Sequence, residues 1–136
     1  MPSEKSFTLI ELLVVVIIIG TLASIGFLNY RPLKENTIDR EARANLRLIQ
    51  SAEKIYRMEM SEYYTSGNSQ PTAITNINDN LKLSLPSGTS RSWNYQTIAN
   101  NTAIPPTACS EAARYNGDGR KWHMGITDEE AITGGC

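Results

Sequence analysis

Hydropathy divides the chain into two unlike parts. Nearly every residue from Phe7 to Leu28 is apolar or small, with Glu11 the only charge, whereas the remainder is rich in Asn, Ser, Thr and charged residues. A helix of about 22 residues, rising ~1.5 Å per residue, reaches roughly 33 Å and can cross a bilayer core of about 30 Å. The pattern predicts a transmembrane helix over residues 7–30.

A second helical pattern follows the apolar stretch. From Ile38 to Tyr64, apolar residues recur at spacings of three and four, which places them along one helical face. Residues 31–64 are therefore predicted to be the amphipathic half of one long helix, with a bend at Arg31-Pro32 because Pro removes a backbone donor. A coiled coil is a weaker interpretation because several stripe positions are Ala. The stripe comprises Ala42, Leu46, Ile49, Ala52, Tyr56 and Met60.

Residues 65–136 predict a variable loop and then a small β-sheet head. Thr65 to Ser90 is rich in Ser, Asn, Thr, Pro and Gly without a sustained period, which favours a loop. The last two strand-like runs flank Asn116-Gly117-Asp118-Gly119, whose glycines favour a hairpin turn. The predicted fold class is α+β, a long N-terminal α-helix packed on a small antiparallel β-sheet head. The strand-like runs are Trp93 to Ile98, Cys109 to Tyr115 and Arg120 to Ile126.

Charge argues against a nucleic-acid partner. The 13 basic and 14 acidic residues give a formal net charge of -1 and are interspersed, so a broad basic face is missing. Four aromatic residues could stack on bases. Aromatic side chains in strands are more often sheet core and cross-strand pairs, and no nucleic acid is expected to bind. These residues are Trp93, Tyr95, Tyr115 and Trp122.

Two cysteines, Cys109 and Cys136, both lie in the polar half of the chain. Cys136 is the last residue of the sequence, and a bond there would hold the chain end in place. A disulfide would indicate an oxidising compartment. Two free buried thiols are the alternative.

The segment Phe7-Thr8-Leu9-Ile10-Glu11-Leu12-Leu13-Val14-Val15-Val16-Ile17-Ile18-Ile19-Gly20 resembles the N-terminal signal of type IV pilins and type II secretion pseudopilins. An ordinary secretory signal fits poorly, since the apolar stretch is too long and no suitable cleavage site follows it. The resemblance implies that prepilin peptidase removes a leader, residues 1–6, by cutting between Ser6 and Phe7, and that the new amine of Phe7 is methylated. The family usually has Gly where this chain has Ser6, which predicts slower cleavage.

Glu11 is an isolated carboxylate in an apolar helix. Deep in a membrane such a group costs on the order of 2.5–3.5 kcal/mol, so it calls for a partner. The resemblance supplies one, the N-terminal amine of Phe7 in a neighbouring subunit, and such a pair would set the register of assembly. The alternative is a carboxylate at headgroup level, stabilised by the helix dipole near the helix start.

The resemblance implies a structural subunit that polymerises into a type IV pilus or a type II secretion pseudopilus. Its expected partners are identical or homologous pilin subunits, prepilin peptidase, inner-membrane assembly machinery and, before assembly, the membrane. The implied location is the inner membrane, then an extracytoplasmic filament, either a cell-surface pilus or a periplasmic pseudopilus. The alternatives are a minor tip subunit and an uncleaved single-span protein that binds at the cell surface.

Catalysis is not expected from this sequence. His123 is the only histidine, no nucleophile motif or zinc cluster accompanies it, and its predicted position is an exposed strand site. By analogy with major pseudopilins, Asn116, Asp118 and either Asp128 or Glu129 could bind calcium, although a tight turn explains the turn residues and no cofactor is expected.

For the two cysteines, the resemblance implies a Cys109–Cys136 bridge like the disulfide-bounded loop of many type IV pilins. Such a bridge would hold the segment from Asp128 to Gly135 against the sheet, because that segment has little apolar surface of its own.

Overall fold

The computed structural model describes residues 7–67, 72–115 and 117–136, with the backbone alone for residues 25–30. The predicted leader, with Ser6, and the turn residue Asn116 lie outside the described residues. The chain divides by its own contacts into an N-terminal unit, Met1–Thr37, and a C-terminal unit, Ile38–Cys136.

One long helix, α1, runs from Leu9 to Met60 and confirms the predicted long N-terminal helix. Pro32 lies inside it. The helix ends four residues before the predicted boundary at Tyr64, because Ser61 adopts a φ of 65°, in the left-handed region that a right-handed helix cannot continue through. The amide of Ser61 still donates to the carbonyl of Arg57 at 2.9 Å, which closes the last turn.

In the described residues, four antiparallel strands form a sheet in the order β1-β2-β3-β4, which confirms the α+β class. The pairing of β2 with β3 is the predicted hairpin, with Ala112 opposite Trp122. Gly117 and Gly119 adopt φ values of 75° and 78° in its connection, a conformation that glycine reaches without steric cost. The strands are β1 (Trp93–Asn100), β2 (Thr107–Arg114), β3 (Lys121–Gly125) and β4 (Ile132–Thr133).

The core of the C-terminal unit lies between α1 and the sheet. Four of the six predicted stripe residues of α1 are buried, whereas Tyr56 is half-buried and Met60 is 58% exposed. From the sheet, Trp93 and Tyr95 of β1 enter the same cluster. The indole N–H of Trp93 donates to the carbonyl of Ile38 at 2.8 Å, so the largest core side chain is also fixed by a hydrogen bond. The buried stripe residues are Ala42, Leu46, Ile49 and Ala52.

A second helix, α2 (Thr72–Leu81), lies inside the segment predicted to be a loop, so that prediction was wrong. Its buried residues Ala73, Ile74, Ile77 and Leu81 recur at helical spacing, and all but Ala73 join the main hydrophobic cluster. The Asn and Thr residues between them conceal this period in the sequence. Burial against the core stabilises a helix that its composition alone disfavours.

The outer edge of β1 is covered by the segment after α1, residues 63–66. Ser66 donates its amide to the carbonyl of Thr97 at 3.1 Å and accepts the Thr97 amide on its hydroxyl at 2.9 Å. Nearby, Thr65 accepts the amide of Ala99 at 3.1 Å. These bonds occupy part of the free backbone of the edge strand.

Candidate functional site

Apart from Glu11, the side chains in the N-terminal turns of α1 are apolar or small on every side, and they are exposed in the single chain. Exposure along this stretch runs from 45% at Val15 to 84% at Leu9. A helix that is hydrophobic all round requires an apolar environment, and exposed apolar surface on this scale marks contact with lipid or protein. The exposed residues are Phe7, Leu9, Ile10, Leu12, Leu13, Val14, Val15, Val16, Ile17, Ile18, Ile19 and Leu22.

Glu11 lies in the first turn of this helix and caps it. Its carboxylate accepts the amide of Thr8 at 3.1 Å and the Thr8 hydroxyl at 2.9 Å. In return the Glu11 amide donates to the Thr8 hydroxyl at 3.3 Å. This reciprocal pair is a capping box, with Thr8 as the N-cap and Glu11 three residues later. The spacing of Thr8 and Glu11 is the sequence signal from which this capping box could have been predicted.

Glu11 also borders an open apolar depression lined by Phe7, Ile10, Val14 and Val15. The carboxylate is therefore a negative charge set within an apolar surface. If a neighbouring copy placed an amine against this apolar surface, water would be excluded and the amine would pair with the carboxylate. The arrangement is compatible with the pairing that the resemblance implies. The capping bonds and such pairing are compatible, since a carboxylate has about four acceptor sites.

The junction between Ser6 and Phe7 is described on one side only. Phe7 is 74% exposed, and Ser6 lies outside the described residues, so cleavage and methylation there stay predictions. Within the residues that the structure covers, no helix is long and apolar enough to cross a membrane. The transmembrane assignment of residues 7–30 stays a prediction.

A disulfide joins Cys109 on β2 to Cys136, the pairing inferred from the resemblance, with the two Cα atoms 6.1 Å apart. It closes a loop with a sequence separation of 27 and returns the chain to the sheet after β4. The tail, whose strand β4 has only two residues, is therefore held covalently to β2.

Two of the residues considered as calcium ligands, Asp118 and Asp128, form bonds within turns. Asp118 is engaged by the guanidinium of Arg120 at 2.7 Å, and the Asp128 carboxylate accepts the amide of Gly125 at 2.6 Å. These bonds stabilise the turns that contain the two carboxylates. No group of three His, Cys, Asp or Glu side chains within the described ranges could hold a metal ion.

Of the four aromatic residues that could stack on bases, two are buried and two lie against guanidinium groups. Trp93 and Tyr95 are 0% and 1% exposed and belong to the core, as expected for aromatic residues of a strand. The remaining two lie beneath guanidinium groups, with Arg91 4.2 Å from the ring centre of Tyr115 and Arg43 4.9 Å from that of Trp122.

His123 was predicted to be an exposed strand residue, and that prediction was wrong. Its side chain is half-buried, and Nδ1 is buried without a hydrogen-bond partner among the described residues. Gly134 lies over the ring, since a Cβ on that glycine would come within 3.6 Å of Nδ1. The tail therefore covers the face of β3 that carries His123, which the alternation of the strand had predicted to be exposed.

Glu53 is a buried carboxylate that the sequence pattern did not reveal. It is 1% exposed and accepts the amide of Tyr64 at 2.9 Å, while its other oxygen has no hydrogen-bond partner among the described residues. Burial raises the pKa of Glu53 from 4.5 to about 7, although hydrogen bonds from Tyr64 and Thr97 act in the opposite direction. Glu53 thus links α1 both to the segment after it and to β1.

Comparison with known proteins gives two matches. The family model described as the prokaryotic N-terminal methylation motif matches residues 1–27. The type IV major pilin protein PilA of Myxococcus xanthus is 37% identical over 67 residues, which cover 49% of this chain and 30% of that pilin. The chain therefore aligns with less than a third of the length of this relative. No solved structure gives a significant match.

Proposed function

From a methylation motif and a pilin relative that together support the type IV pilin family, we propose that this chain is a structural subunit that polymerises into an extracytoplasmic filament. The filament is a type IV pilus or a type II secretion pseudopilus. Before assembly the subunit resides in the inner membrane, where prepilin peptidase and the assembly machinery act on it. The chain then works by polymerisation and not by catalysis.

The observation that carries this proposal is the exposed apolar start of α1. Side chains on every side of the helix from Leu9 to Leu22 are accessible in the single chain. Lipid can cover this surface before assembly, and the same surface on other copies can cover it afterwards. A filament core built from such helices would bury all of these side chains at once, which supplies the driving force for polymerisation.

Glu11 supplies the register of that packing. A carboxylate buried without a partner is penalised by several kcal/mol, whereas a pair is tolerated, so copies that fail to align Glu11 with an amine would be disfavoured. The amine is the N-terminus of Phe7 in a neighbouring copy, and it exists only after cleavage. Processing and polymerisation are thereby coupled.

The mature chain is expected to begin at Phe7 with a methylated amine. Mass spectrometry of filaments sheared from the cell surface, or of the membrane fraction, reports the N-terminal peptide directly. A peptide that begins at Met1 would instead favour the uncleaved single-span alternative. A mature start after Ser24 would show that an ordinary signal peptidase acts on the chain.

Two substitutions at Glu11 separate its charge from its capping role. Glu11→Ala removes both, whereas Glu11→Gln keeps a side chain that can cap Thr8 but has no charge. If the charge sets the register, filament yield falls at least tenfold for both variants, while the amount of subunit in the membrane stays unchanged. Glu129→Gln, an exposed change of the same charge, is the control and should assemble normally. Normal yield from Glu11→Gln would show that capping, and not pairing, is what assembly requires.

A further inference from the structure

We propose that Glu111 positions the reduced C-terminal tail, so that Cys136 lies beside Cys109 before the disulfide forms. Glu111 follows Cys109 by two residues on β2, so both side chains leave the same face of the sheet. Despite its charge, Glu111 is only 6% exposed. A carboxylate so little exposed is costly unless it is hydrogen-bonded, and one of the bonds that Glu111 accepts comes from the tail.

The two oxygens of Glu111 face different partners. Oε1 accepts the ammonium of Lys121 at 3.0 Å and the amide group of Gln96 at 3.3 Å, which holds the carboxylate between the neighbouring strands. Oε2 accepts the backbone amide of Cys136 at 3.2 Å. The carboxylate is thus held by β1 and β3, and its second oxygen binds the amide of Cys136, the cysteine that must reach Cys109.

The two glycines before Cys136 allow this approach. Gly134 adopts a φ of 127° and donates its amide to the carbonyl of Lys121 at 2.9 Å. A Cβ on Gly135 would lie 2.6 Å from Oε2 of Glu111, so a side chain there would displace the carboxylate from the amide that it binds. In the Gly-Gly-Cys segment, Gly134 therefore permits the backbone conformation, Gly135 leaves room for the carboxylate, and Cys136 forms the disulfide.

None of these contacts uses a sulfur atom, so all of them are available to the reduced chain. In the oxidised chain the two Cα atoms lie 6.1 Å apart, within the usual range for a disulfide. The chemical step is thiol–disulfide exchange with a disulfide oxidant such as oxidised glutathione. One cysteine thiolate attacks the oxidant and releases one thiol, and the second cysteine then attacks the mixed disulfide and releases the other. Two electrons and two protons pass to the oxidant.

The test measures the effective concentration of the two thiols. The full chain in detergent is equilibrated with defined ratios of reduced and oxidised glutathione, and the oxidised fraction is read by alkylation and mass spectrometry. Glu111→Gln keeps the shape but removes the charge, and the effective concentration is expected to fall about tenfold, the size of one charge-assisted hydrogen bond. Gly135→Ala should lower it in the same direction, and Glu129→Gln should leave it unchanged.

A purely structural role for Glu111 is distinguished by amide hydrogen exchange on the reduced protein. Positioning predicts that the amides of Gly134 and Cys136 lose protection in Glu111→Gln, while those of the β1–β2 ladder, such as Tyr95, keep theirs. An effective concentration within twofold of wild type would overturn the proposal. So would a fall accompanied by equal loss of protection across the ladder, because Glu111 would then act on the sheet as a whole.

Discussion

Replacing Glu53 by Gln is expected to remove most of the pH dependence of stability between about pH 5 and pH 8. The pKa of Glu53 is raised to about 7 in the folded chain against an ordinary value of 4.5. Because the unfolded chain ionises first, the stability that this group contributes is fully present below pH 4.5 and is lost as the pH rises through about 7. The full loss amounts to roughly 3 to 4 kcal/mol, of which about 2 to 3 kcal/mol falls between pH 5 and pH 8.

The side-chain amide introduced by Glu53→Gln stays neutral at every pH. The difference in unfolding free energy between variant and wild type should therefore shift by about 2 to 3 kcal/mol in favour of the variant from pH 5 to pH 8. Urea titrations followed by tryptophan fluorescence measure this difference, since Trp93 is fully buried and becomes exposed when the core unfolds. Glu129→Gln serves as the control for the loss of one carboxylate. Parallel curves for wild type and Glu53→Gln would mean that the buried carboxyl keeps an ordinary pKa.

Removing the disulfide is expected to have a comparably large effect. A closed loop with a sequence separation of 27 corresponds to about 3.6 kcal/mol in the chain-entropy estimate. Single domains are stabilised by only about 5–15 kcal/mol in total, so this one bond is a large share of the stability of the C-terminal unit.

The matched pair for this prediction is wild type under oxidising conditions and the double variant Cys109→Ser and Cys136→Ser under the same conditions. Urea unfolding should show a midpoint shift that corresponds to about 3 to 4 kcal/mol without a change of fold in circular dichroism. A loss below about 1 kcal/mol would mean that the docked tail alone, through Glu111 and β4, supplies the constraint. Two free thiols in the denatured, unreduced wild type would show that the bond does not form.

The parts of this fold that could be predicted are those marked by a regular spacing of apolar residues or by glycines in a turn. The stripe from Ala42 to Ala52 was found because its polar neighbours are strongly charged, and the β2–β3 hairpin was found because Gly117 and Gly119 permit an unusual backbone conformation. α2 was missed because its exposed positions are Asn and Thr, which are equally frequent in loops. Its burial depends on residues distant in sequence.

The candidate site, too, was predictable only in part. The exposed apolar helix and Glu11 were visible as one charge in an apolar run. Glu53 was not, because a charged residue next to Ala52 is typical of the polar side of a helix. The burial of Glu53 becomes evident only in the fold, which brings the amide of Tyr64 and the hydroxyl of Thr97 to the carboxylate. Glu111 was hidden in the same way, since its partners lie on other strands and at the chain end.

The cover over β1 has a consequence for how such a chain can aggregate. Where copies of a chain meet at high local density, an open sheet edge on one copy can pair with a strand of another and begin an amyloid-like stack. Here the hydroxyl groups of Thr65 and Ser66 take up amides of β1 that a foreign strand would otherwise claim. Growth by sheet extension is therefore obstructed along that edge.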